Sequence, residues 1–172
     1  MKEIIFNENN LTDEDIESEV IRVKALIINS NNKILLAHNN NTFQFPGGHI
    51  EDNENMDDCI EREVLEETGI HVLVKEKPFL CIKTYDNNYF DTGKKVLNTI
   101  YYYRFFSDDK PNYEETHYDE LELATDFDLF YLKFSDLKNF LIDCIDNDKI
   151  DINIGKEMIE VVNVYNELFG GD

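Results

Sequence analysis

Between residues 48 and 70 the chain reads GHIEDNENMDDCIEREVLEETGI, and Glu54, Glu63, Glu66 and Glu67 stand there with Arg62, Gly48 and Gly69. On a helix ending near Thr68, Glu63, Glu66 and Glu67 are related by i, i+3 and i+4 and fall on one face. Like charges so placed repel by roughly a few tenths of a kcal/mol per pair in water. Such a cluster stabilises nothing by itself. It becomes useful when a hard cation fills it, because Mg2+ takes carboxylate oxygens together with substrate phosphates. The chemistry this points to is that of a divalent cation acting on a diphosphate.

The same stretch resembles the Nudix box: G, five residues, E, seven residues, RE, an apolar residue, any residue, EE, any residue, G, apolar. All of its constrained positions match, and Arg62, one of only three arginines in the chain, falls where the pattern requires it. The resemblance implies hydrolysis of a diphosphate linkage by water with Mg2+ or Mn2+ as cofactor. It implies that Glu63, Glu66 and Glu67 hold the metals, with the backbone carbonyl of Gly47 as a further ligand. Arg62 would fix a neighbouring carboxylate through a bidentate pair. Glu54 would support the loop, and Gly48 and Gly69 would be conformational. Glu63 is one candidate for the general base. Family members also use a glutamate from a later loop, where Glu115, Glu120 and Glu122 are available and Glu120 is preferred.

Beside the glycines, Phe43 and Phe45 are candidates for a base-stacking wall, and His49 could touch a phosphate, although a loop-capping histidine is the plainer reading. The tyrosine run 101–103 reads as strand packing more than as a stacking platform, since successive strand residues face opposite sides. Subgroup marks are weak. No arginine precedes the box in LLAHNNNTFQFPGG, Pro78 comes too early for the downstream proline of ADP-ribose pyrophosphatases, and Tyr85 is one of many tyrosines. A nucleoside triphosphate or other small nucleotide is the expected substrate. A non-catalytic nucleotide sensor is the alternative from another class, though such modules lose a box glutamate and this chain keeps all of them. An RNA 5′-end pyrophosphohydrolase would need a basic track.

Composition bounds the rest. The 172 residues suit a single domain, 1–172, with residues 1–17 a short helix or loosely ordered lead-in. A hydrophobic fraction of 42% supports a packed core. A net charge of −21 repels phosphate backbones, so duplex nucleic acid is a poor partner. It also repels small phosphorylated substrates unless metals and a local Lys or Arg reverse the sign at the site. Cys59, Cys81 and Cys144 are scattered, which suits a reducing, cytoplasmic setting. No segment reads as a signal peptide or membrane span. The family resemblance leaves room for a homodimer.

The elements that must carry the box follow from pattern. Val20–Ile28 and Lys33–His38 read as a hairpin about Asn29–Asn32, and Thr42–Phe45 as a short extended piece before Pro46-Gly47-Gly48. The box helix starts near Asn53 or Asn55 and stops at Gly69. It has Met56, Cys59, Ile60 and Val64 inward, opposite its acids. Val72–Tyr85, Lys95–Phe106 and Phe127–Phe134 read as strands. Ser135 is expected to cap a helix over 136–144, and 156–169 is a last amphipathic helix. This order predicts an α+β fold, an α/β/α sandwich with a mixed central sheet like that of Nudix proteins.

Overall fold

The turn Asn29–Asn32 does close a hairpin. Asn29 Oδ1 accepts from the backbone N–H groups of Asn31 and Lys33, each at 3.0 Å. It joins β2 (Ser18–Ile28) to β3 (Lys33–Asn39). A computed structural model of the protein describes residues 1–39, 42–118 and 127–170. Within it β2 and β3 share a single registered pair, Ile28 with Ile34, and then part. One edge of β3 takes β7 (Asp128–Lys133), and the other is shared between Ile28 of β2 and β4 (Thr42–Gln44).

On its other side β2 pairs along its whole length with β6 (Val96–Phe106), in parallel, from Ser18–Val96 to Ile28–Phe106. β5 (Leu80–Asp86) lies antiparallel to β6, and β1 (Lys2–Phe6) lies parallel to β5. The strand order is β1-β5-β6-β2-β3-β4, with β7 off this path against β3. The sheet is therefore mixed, as expected.

Alternation along β2 builds two cores. Val23, Ala25 and Ile27 pack with Cys59, Ile60 and Val64 of α1 (Met56–Thr68). Leu26 and Ile28 pack on the opposite face with Phe134, Leu137 and Leu141 of α2 (Phe134–Asp146) and Met158, Val161 and Val162 of α3 (Ile152–Phe169). Each fully buried aliphatic side chain contributes about 1.5–3 kcal/mol, so both layers are held firmly against the sheet. The result is the α/β/α sandwich.

Several boundaries differ from the sequence pattern. The N-terminal lead-in holds a strand, β1, beside β5. Residues 72–79 are not strand: Val72 and Val74 pack against the α1-side core, and the Val74 N–H donates to Glu61 Oε1 at 2.6 Å instead of to a neighbouring strand. α2 begins at Phe134, not after Ser135, whose hydroxyl bonds Asp136. α3 starts at Ile152, capped by Asp151, whose carboxylate accepts from Asn153 and Ile154 at 2.8 and 3.2 Å. Among the described residues no helix is long and apolar enough to cross a membrane.

Candidate active site

The gap where β2 and β3 separate is what creates the site. The chain from Thr42 to Ile50 runs through it, pairing first with β3 through β4 and then with β2. Val23 N–H donates to Gly48 O at 2.9 Å, Ala25 N–H to Pro46 O at 2.8 Å, and Ile50 N–H to Ile21 O at 3.3 Å. The glycine loop is thus fixed to a core strand. Gly47 sits at φ +130°, and a β-carbon there would lie inside the van der Waals envelope of the Val23 carbonyl. A β-carbon on Gly48 would strike the Glu63 carboxylate, so the two glycines let helix and strand approach the loop from both sides.

α1 brings the acids. Asn55 caps it, its side chain accepting from Asp57 and Asp58 N–H at 3.0 Å each. Gly69 ends it in the left-handed region at φ +66°. Arg62 is the hub of this helix. Its Nε and Nη2 grip both Glu54 oxygens at 2.8 Å, Nη1 reaches Glu63 at 2.8 Å and Glu66 at 3.0 Å, and Nη2 reaches the His49 carbonyl at 3.2 Å. The fork holds Glu54 down to a pKa of about 2. Burial pushes the Glu63 carboxyl up, against the pull of Arg62. Burial raises the Cys59 thiol to about 12, which leaves it a neutral packing group.

Glu67 departs from the expected acidic outer face. It is 5% exposed, turned to the loop, and accepts from the Gly47 N–H at 2.9 Å. Among the described residues no three His, Cys, Asp or Glu side chains are gathered for a metal ion. Arg62 draws Glu63 and Glu66 to itself while Glu67 holds the loop. The donor chemistry nonetheless fits a hard divalent cation: carboxylates and a carbonyl, all oxygen. The ammonium of Lys24 already marks a cation position there. It donates to the Gly47 carbonyl, and to Gln44 Oε1 at 3.1 Å; burial pulls its pKa below the usual lysine range, against the opposing pull of Glu67 and Glu63.

The remaining expected residues divide. His49 is exposed, and its ring is held below the usual imidazole range by desolvation and by the nearby charges of Arg22 and Lys24. Phe45 is a correction: at 1% exposure, edge-on to Tyr102 at 6.2 Å, its ring has no face left for a base. Phe43 is partly buried among His38, Phe130 and Phe140. Tyr102 and Tyr103 are core, their hydroxyls donating to Glu157 and Asp57. Glu115 pairs with His71 at 2.7 Å, in a loop that bonds the end of the box helix through Asn112 N–H to Thr68 O and His117 N–H to Glu66 O. Glu120 and Glu122 lie outside the described residues.

Sequence reasoning passed over Arg22 and Lys24. The signal was present in VIRVKALII, two cations at i and i+2 interrupting an apolar strand.

A family model described as NUDIX domain matches residues 19–142. The chain belongs to the NUDIX family. Membership brings the family's general reaction, pyrophosphohydrolysis. Among solved structures, the MutT protein of Methanosarcina mazei Go1 superposes with a TM-score of 0.56 at 19% identity, covering 87% of this chain and 96% of that one. A MutT NUDIX hydrolase from Burkholderia pseudomallei gives 0.51 at 18% identity, with 69% and 86% covered. A UDP-X diphosphatase gives 0.52 at 20% identity, with 88% and 65% covered. At these identities the likeness is one of fold.

Proposed function

We propose that this NUDIX chain hydrolyses the diphosphate linkage of a small nucleotide, a nucleoside triphosphate foremost, with Mg2+ or Mn2+ held by Glu63, Glu66, Glu67 and the Gly47 carbonyl. The observation that carries this reading is the Arg62 hub, which ties Glu54, Glu63 and Glu66 into one array beside the Gly47–Gly48 turn. When bound, a divalent ion supplies Lewis-acid polarisation of phosphoryl oxygens and a lowered pKa for a bound water.

The chain's own residues do the rest. Arg62 orients Glu63, and Gly48, lacking a side chain, leaves room for its carboxylate. Glu63, oriented by Arg62 beside the glycine turn, is the first candidate to accept the proton of the attacking water. Glu120 stays the second candidate for that role. Glu67 keeps the loop carbonyls of Gly47 and Gly48 in register with the helix.

The sensor reading is disfavoured because every box glutamate is retained. The RNA-end reading is disfavoured by the net charge of −21. Incubation with Mg2+ and a panel of nucleotides, nucleotide sugars, dinucleotides and capped RNA tests the proposal. Release of a monophosphate, reduced roughly a hundredfold in Glu63→Gln, is expected. No turnover of any member would overturn it and return the sensor reading.

A further inference from the structure

On the α3 side of β2, Arg22 and Lys24 stand one above the other, about 7 Å apart along the strand. Lys24 reaches the box at Gly47 O. Arg22 lies further out, its Nη1 donating to Asn98 of β6 and its Nη2 to the Tyr89 hydroxyl at 2.9 Å. The other two arginines have carboxylate partners, Arg62 with Glu54, Glu63 and Glu66, and Arg104 with Glu76 at 2.7 Å. Among the described residues Arg22 forms no ion pair, although the chain carries 37 acidic residues, whereas Lys24 stands among Glu67, Glu63 and Glu157. Glu157, the acid that faces both, instead accepts the Tyr102 hydroxyl.

A part-buried guanidinium held by two neutral acceptors keeps its charge and part of its fork for something else. In a molecule this acidic, that is where an anion gains most.

We propose that Arg22, with Lys24 beside the box, receives a phosphoryl group of the substrate beyond the diphosphate that is cleaved, so that the enzyme selects substrates carrying a third anionic group. Arg22 is then a specificity-determining residue, held in orientation by Asn98 and Tyr89. Lys24 links it to the reacting diphosphate. The assignment deepens the hydrolase reading and rests on it for the word substrate, but the anion site can be measured without turnover.

Calorimetry in EDTA with orthophosphate, pyrophosphate and tripolyphosphate measures it, because nothing depends on a base or a metal. Wild-type protein is expected to bind tripolyphosphate about tenfold or more tighter than pyrophosphate, the worth of one charge-assisted contact. Arg22→Met should bring the two within about threefold, with Arg22→Lys between, because the charge survives without the fork. Thermal melting within a few degrees of wild type establishes that the variants are folded. In the Mg2+ enzyme, Arg22→Met should raise KM for the substrate found about tenfold with kcat nearly unchanged. Absence of any preference for tripolyphosphate in the wild type, or a preference equal with and without Arg22, overturns the proposal. Preference lost in Arg22→Met by a protein that cleaves nothing would sink the hydrolase reading and leave the anion site standing.

Discussion

At the scale of single residues, the site sets stability against chemistry. Glu63 has a folded-state pKa above its ordinary value, because burial outweighs Arg62. A carboxyl raised in this way costs stability wherever it is ionised, and the cost disappears as pH falls below the ordinary carboxylate range. Glu63→Gln should therefore melt above wild type in EDTA at neutral pH, with that gain gone near pH 4. Its activity should be the first thing lost. Glu54 has the opposite sign. Its pKa is depressed to about 2, so its pairing with Arg62 contributes stability above pH 4.5 that is lost as pH falls toward 2. The contribution is at most about 3 kcal/mol. Melting curves of wild type and Glu54→Gln should be well separated at pH 7 and converge near pH 2. Curves that stay parallel would show that the pair contributes nothing.

At the scale of elements, the position of the site depends on a strand pair that fails to stay together. β2 and β3 register only at Ile28 and Ile34, and the loop before α1 takes the vacated edge of β2. Gly47 is the residue that cannot change. Gly47→Ala would force a side chain into φ +130° against the Val23 carbonyl, a strain of about 2 kcal/mol. A loss of about 4–8 °C in melting temperature is expected, together with loss of activity. A variant that melts like wild type would mean that the loop is not locked to β2.

The box, its helix and the Gly69 cap were legible in the sequence, because the apolar stripe and the glycine act locally, while the first cap was narrowed to Asn53 or Asn55 and is Asn55. The core tyrosines were half legible, since alternation separates Tyr102 from Tyr101 and Tyr103 but does not say that both faces are covered. What failed depended on tertiary partners. Val74 looked like strand until Glu61 took its N–H, Ser135 looked like a cap until Phe134 was buried as the start of α2, and β1 has no pattern of its own without β5 to pair with. Phe45 was misread because proximity in sequence to the glycines says nothing about the direction of a ring.

At the scale of the whole molecule, a net charge of −21 opposes both compaction and the approach of an anionic substrate. The general part of that repulsion is screened by any salt, since the Debye length falls from about 30 Å at 0.01 M to about 8 Å at 0.15 M. The local part answers only to cations that bind. Melting temperature should therefore rise with NaCl and then level off. At matched ionic strength, Mg2+ should add a further increment, because a ligand of the folded state at a hundred times its Kd stabilises by about 2.7 kcal/mol, or about 5 °C or more here. The two parts separate by substitution. In a Glu66→Gln, Glu67→Gln double variant the rise with NaCl should persist, because only two of 37 acidic residues are gone, while the Mg2+ increment should vanish. Equal increments in wild type and double variant would place the bound Mg2+ elsewhere on the acidic surface and remove these glutamates from the ligand set.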